Sequence, residues 1–376
     1  MRDKLESSVA RAPLSADLVE WLSKKRNRAR KPTEKGEAEA GSLQDFYVWQ
    51  HPSQTGWLSR DGFNEYAEYL PRRLGFLDDV FRRTEAGDLL VDVFMPEEQR
   101  QAFERDEPGS SILVLNTRER VLFLYQLLAA DGDFLLPFVH TLAGRFGTAP
   151  FGYLDAGRIL PEVCRDTARR FSSYGYTAQD REALRQLEST ADKIEQQIVD
   201  SIETIGAGSR REQTSIPRLE WLIDLGLAER RPTDESTRVF ALTEAGVQFA
   251  GQAYPLYEGY LSSLYADRAL TSMLDRNFCD LVNQLYFGGM GTALVEGDLV
   301  EFVRRAYATL SKLRGYYLLR PLLLVSNLNA LESDVSQFME YAVAVDALER
   351  TYQAGPERLS YSIDRFATDY QVRLLD

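Results

Sequence analysis

The sequence predicts a mainly α protein in which two small modules of helix and hairpin are embedded in helical bundles. Three observations carry that prediction. Apolar residues recur at spacings of three and four along much of the chain. Strand-like runs are few and short. One phrase, Leu-Gly followed downstream by Thr-Glu-Ala-Gly, is written twice, from Leu74 as LGFLDDVFRRTEAG and from Leu225 as LGLAERRPTDESTRVFALTEAG.

Composition bounds the class. The 376 residues are 44% hydrophobic and 27% charged, ordinary values for a globular chain with room for two or three domains. Two cysteines, Cys164 and Cys279, fit neither a disulfide framework nor a Cys-rich zinc site, which suits a cytoplasmic location. No run approaches the roughly 20 apolar residues that span a bilayer, so no membrane partner is expected. The net charge of −13 argues against a protein that coats nucleic acid through its whole surface. Contact with double-stranded DNA would need a local patch. One exists in KKRNRARKPTEK, residues 24–35, which holds Lys24, Lys25, Arg26, Arg28, Arg30 and Lys31 among seven basic residues and a single acid. It reads either as a solvated linker or as an arm that contacts phosphates or a partner.

The elements follow in order. Residues 1–45 hold a short amphipathic helix, LSADLVEWL, and the basic arm. Residues 46–105 hold the first repeat, preceded by a helix with Phe63, Tyr66, Ala67 and Leu70 on one face. Residues 106–176 are helical, with SSILVLN as a strand candidate and two helices meeting at Gly132. Residues 177–252 begin with a long helix, then carry the second repeat. In that helix Leu184, Leu187, Ala191, Ile194, Ile198, Ser201 and Ile205 alternate spacings of three and four. This seam is either an internal packing face or an interface for a second copy or a partner helix. Residues 253–376 are again helical, and Leu299, Phe302, Val303, Ala306 and Leu310 share one face there.

The second repeat can be read residue by residue. Ser215 caps a helix with Pro217 in its first turn, and Ile216, Leu219, Leu222 and Ile223 form its buried stripe. Gly226 stops the helix in a left-handed conformation. LAERR and RVFAL are the two sides of a hairpin around PTDEST, and Thr243 caps the next helix. Helix, glycine stop, hairpin and Thr-capped helix resemble the winged helix-turn-helix family, in which the wing runs into a phrase like LTEAG. The first repeat is similar with almost no wing.

That resemblance implies a recognition helix for the major groove and a wing for the phosphates. Arg210 and Arg211 then precede the helix, Arg218 stands on it, and Arg230, Arg231 and Arg238 flank the hairpin. Glu220 and Asp224 are expected on the outward face beside Arg218 and Trp221, where they would repel phosphates. The first module, residues 57–90, sets five Arg against seven acids and is better suited to protein contact.

No catalytic pattern emerges. His51 and His140 are far apart, no phosphate loop of the Gly-x-x-x-x-Gly-Lys type occurs, and no acid stands two residues before any lysine. FGGMGT, residues 287–292, lacks the lysine and reads as a loop or a helix break. No cofactor and no metal are expected. The expectation is a non-enzymatic, cytoplasmic subunit of a prokaryotic multi-protein complex, partnered with protein or with a second copy. It would present DNA to a catalytic partner or scaffold that partner. The alternatives are a kleisin-like structural adaptor whose winged helices touch only protein, a winged-helix transcriptional regulator, and an enzyme with an unrecognised carboxylate site.

Overall fold

The structure, a computed structural model, describes residues 72, 74–78, 83–94, 115–172, 178–200, 210–231, 239–263, 266–310, 317–333, 336–354, 359–364 and 369–375. Within these the chain is mostly helical with a few small sheets. It divides into two compact units, Met1–Glu119 and Arg120–Asp376. The N-terminal helix, the basic arm, the helix around Phe63 and most of SSILVLN lie outside the described residues.

In the first unit the repeat is built around Thr84. Gly75 takes the left-handed conformation, φ 73°, that a side chain would resist. Leu77 and Arg83 form an isolated antiparallel bridge, and the Thr84 amide donates to the Phe76 carbonyl at 3.0 Å. Thr84 caps α1 (Glu85–Leu89), which continues into a π-helical turn, Leu90–Phe94. The Thr84 hydroxyl accepts from the Gly87 amide at 3.2 Å and donates to the Gly75 carbonyl. It thereby ties the glycine stop to the next helix start. A Cβ on Gly87 would lie 2.2 Å from the Phe76 carbonyl oxygen, so no larger residue fits.

A reciprocal cap starts α2 (Thr117–Phe146). The Asn116 side chain accepts from the Glu119 amide at 3.0 Å, and the Glu119 carboxylate accepts from the Asn116 amide at 2.8 Å. The expected break at Gly132 does not occur, and α2 runs unbroken for 30 residues. Gly132 packs against Leu270, whose Cδ1 would stand 2.7 Å from an added Cβ, so the missing side chain serves packing rather than a turn. By length and composition α2 could cross a membrane, but 67% of its apolar window is buried inside the protein, as in a core helix.

The second unit continues with β1 (Phe151–Gly152), α3 (Tyr153–Ser172) and α4 (Ala178–Asp200), the last packed along α3. Then come α5 (Arg210–Asp224), β2 (Ala228–Arg230), β3 (Val239–Leu242) and α6 (Glu244–Ser263). The helix α5 starts earlier than expected. Ser215 is buried inside it rather than capping it, and Pro217 sits in mid-helix. The hairpin forms as expected, β2 antiparallel to β3, and β1 adds to the other side of β3.

The second repeat reproduces the first atom for atom. Gly226 has φ 74°, and the Thr243 amide donates to the Leu227 carbonyl at 3.0 Å. The Thr243 hydroxyl accepts from the Gly246 amide at 3.1 Å and donates to the Gly226 carbonyl at 2.9 Å. A Cβ on Gly246 would lie 1.9 Å from the Leu227 carbonyl oxygen. Ala228↔Leu242 is the counterpart of the Leu77↔Arg83 bridge, so the two copies differ in the loop beyond it.

The chain closes with α7 (Ala266–Tyr286), β4 (Thr292–Ala293), α8 (Leu299–Leu310), β5 (Tyr317–Leu318), α9 (Leu319–Leu331), β6 (Gln337–Phe338), α10 (Tyr341–Ala354), β7 (Leu359–Asp364) and β8 (Asp369–Leu374). Leu299, Phe302, Val303, Ala306 and Leu310 are all buried. The C-terminal tail departs from the expected helices: β5, β8 and β7 form an antiparallel sheet. Leu359, Tyr361 and Ile363, then Tyr370, Val372 and Leu374, alternate with polar residues, a period of two that overrides helix. Arg320 ties this end together. Its side chain bonds Asp275 and Tyr125, its amide donates to Asp369 at 3.0 Å, and its guanidinium lies 3.9 Å from the centre of the Tyr341 ring.

Glu340 is buried with its carboxylate accepting from the Asp280 and Cys279 amides at 2.9 and 3.2 Å. Burial pushes its pKa up to about 7, against the pull of those amides. An unfolded glutamate titrates lower, so between the two values the folded chain keeps a proton that the unfolded chain has released. This contribution is complete below the unfolded pKa and is lost as pH rises through about 7. Glu340→Gln should flatten that fall in urea midpoints measured from about pH 5 to about pH 8; an unchanged slope would contradict it.

Thr243→Ala should cost about 1–2 kcal/mol in urea unfolding, with Thr243→Ser close to wild type. Gly246→Ala should cost more, because its methyl would collide with backbone. Equal stability of the three variants would show that the hydroxyl and the close approach carry no energy.

Candidate nucleic-acid interface

The winged-helix resemblance marks six arginines of the second repeat for DNA, and the structure describes the side chains of Arg218, Arg230 and Arg231. Arg210 and Arg211 are the first two residues of α5 rather than preceding it. Their side chains, the whole of Arg238, and Lys24, Lys25, Arg26, Arg28, Arg30 and Lys31 of the arm lie outside the described residues.

Arg218 turns inward. It grips Asp131 of α2 with two bonds, Nε to Oδ2 at 2.8 Å and Nη2 to Oδ1 at 2.7 Å. Its guanidinium lies 4.3 Å from the centre of the Phe134 ring and 5.7 Å from that of Trp221. The Arg218 and Asp131 side chains are 12% and 6% exposed. Trp221 is buried as well. The expectation that Arg218 and Trp221 face outward with Glu220 and Asp224 is therefore corrected. Asp131 sits in the middle of an apolar helix, and a carboxylate there must find a cation. Arg218 supplies it, and aromatic faces cover the rest.

The other described side chains of α5 are buried or half-buried. None of residues 215–224 is exposed. The helix packs on α3 and against β2. Arg230 donates to Glu220 at 2.6 Å, and Arg231 to Glu229 at 2.8 Å. Burial, and then the neighbouring Glu220 carboxylate, push Asp224 up to about 7, while Arg230 and Arg120 pull it back. Each described arginine of this module thus meets an acid of the same unit, with Arg218 buried and Arg230 and Arg231 more than half exposed.

The seam of α4 faces α3. Ala191 and Ile194 are fully buried, Leu184 and Leu187 are half-buried, and Arg165 of α3 bonds Asp192 and Glu195 across the helix pair. Of the two readings of the seam, internal packing accounts for Ala191 and Ile194. The Ile198 side chain and Ile205 lie outside the described residues.

Chemistry elsewhere is sparse. Among the described residues no group of three His, Cys, Asp or Glu could hold a metal. Burial pushes the Cys164 thiol up to about 11 and keeps it protonated, against Arg218 and Arg165, which favour the thiolate. His140 stacks on Tyr254, ring centres 4.1 Å apart, and His51 lies outside the described residues.

Asp131 and Asp133 of α2 were missing from the sequence reading. Asp133 accepts from the Tyr257 hydroxyl at 2.7 Å, as Asp131 takes Arg218. The available signal was two carboxylates inside a long apolar helix, which must be paired when the helix is buried.

No family model, no curated protein and no solved structure matches the chain.

Arg218→Ala would leave the Asp131 carboxylate buried and unpaired, and should destabilise the chain by about 3–5 kcal/mol. Arg218→Met with Asp131→Leu should regain most of that loss. Urea unfolding distinguishes the outcomes: a silent Arg218→Ala would mean that the pair does not hold the helix.

Proposed function

We propose that the chain is a non-enzymatic adaptor subunit of a prokaryotic multi-protein complex, and that its two repeats are winged-helix modules used for protein contact. One observation carries the reading. The face of α5 that a DNA-reading winged helix would present holds Arg218 and Trp221, and both are turned into the protein. The identical Gly–Thr geometry of the two repeats supports two modules of one kind. The acidic balance of the chain supports protein rather than phosphate as the main partner.

DNA contact in this reading falls to the basic arm. The arm at 24–35 carries seven cations and a single acid, so it would hold duplex by charge without reading bases. In this reading the adaptor touches DNA through the arm, without regard to sequence.

Fluorescence anisotropy of the full chain with unrelated duplexes tests this. Binding at low salt should be equal for all sequences, and deletion of residues 24–35 should remove it. A duplex preferred by about tenfold with the arm deleted would return α5 to DNA reading. The adaptor half is read separately. The tagged chain, purified from its native host, should bring down a stoichiometric protein, and recovery of the chain alone would contradict it.

A further inference from the structure

Three large apolar side chains stand exposed among the described residues: Met290 at 77%, Val295 at 91% and Leu375 at 38%. The first two lie on one loop, residues 287–298, between α7 and α8. It contains the FGGMGT run, which ends α7 as a helix break, with Gly288 and Gly289 at φ 66° and 71°.

A loose loop would expose apolar tips without consequence. This one is fixed. Asn283, fully buried, clasps Gly291 with both ends of its amide: Oδ1 accepts from the Gly291 N–H at 2.9 Å and Nδ2 donates to its carbonyl at 3.1 Å. Beyond it β4 pairs in parallel with β6. The Thr292 and Leu294 amides donate to the Ser336 and Phe338 carbonyls at 2.7 and 2.9 Å. These bonds hold Met290 and Val295 out in water, where each apolar side chain forgoes the gain of burial.

The loop also offers an open edge. Among the described residues the sheet has two strands, and β4 is bonded on one side. Thr292 and Leu294 point their amides at β6, and backbone alternation turns the Ala293 N–H and C=O the other way. Both residues of β4 are exposed. Next to Val295 runs a groove of about 420 Å³, lined by Val295, Glu296, Asp346, Glu349 and Arg350. Three carboxylates face one guanidinium there, and that guanidinium is taken by Glu296.

We propose that the outer edge of β4 and the adjoining acidic groove dock an extended segment of a partner protein that bears Lys or Arg beside an apolar residue. The segment adds a strand to β4, covers Met290 and Val295, and sets its cation between Asp346 and Glu349. A nucleic acid is the wrong occupant, because the groove would set carboxylates against phosphates. The proposal rests on the adaptor reading only in requiring a protein partner.

Random peptides displayed on phage and selected against the full chain test it. Selected peptides are then measured by anisotropy on wild type and on two pairs of substitutions, Met290→Ser with Val295→Ser and Asp346→Lys with Glu349→Lys. All four side chains are exposed, so both variants should keep the wild-type circular dichroism and Tm. Selected peptides should carry a cation next to an apolar residue. Each pair of substitutions should weaken binding by about tenfold or more, and salt should weaken it further. A selection without binders, binders that lack cations, or binders indifferent to either well-folded variant would overturn the proposal. Co-purification of a stoichiometric partner alongside a failed selection would sink this site and leave the adaptor reading standing.

Discussion

The pairing of Arg218 with Asp131 sets the orientation on which the second repeat depends. Both side chains are almost out of water, and neither could be buried alone. A buried pair adds little net stability, whereas breaking one is costly, so its effect is to key two helices to each other. Here it ties Arg218 of α5 to Asp131 of α2, with Trp221 buried beside the guanidinium. Once α5 is set, Gly226 fixes where the hairpin leaves, β3 takes β1 as a neighbour, and Thr243 starts α6. The module is therefore built into the helical body through α5, and its hairpin and α6 follow from that placement.

Within each repeat a smaller constraint operates. A threonine hydroxyl joins the carbonyl of a left-handed glycine to the amide of the third residue of the next helix. A second glycine lets that helix lie against the backbone beside the first. Four residues in fixed order are needed, two Gly, one Thr and an apolar residue. The loop between them is not constrained, which is why the phrase recurs while its spacer changes length. The geometry is a solution for turning a chain tightly, and it says nothing by itself about what the module binds.

Much of this was legible in sequence. The glycine stop, the hairpin, the Thr243 cap and the buried face of α8 all follow from local chemistry, and local chemistry is what a sequence displays. What failed depended on distant partners. Gly132 reads as a break until Leu270 is seen filling its place. Arg218 reads as a surface cation until Asp131, 87 residues away, is seen to receive it. Ile194 reads as either seam or core, and only α3 decides. The C-terminal hairpin was legible in the alternation of Tyr361, Ile363, Tyr370 and Val372, a signal masked by the helical pattern before it.

The burial of the α5 face is the central claim, and Trp221 reports on it directly. The chain has four tryptophans, and replacing Trp21, Trp49 and Trp57 by Phe leaves Trp221 as the only emitter. Its fluorescence should be blue-shifted, weakly quenched by acrylamide, and unchanged when duplex DNA is added. Water-like emission that acrylamide quenches freely, with quenching relieved by DNA, would show the face to be open and the module to be a DNA reader.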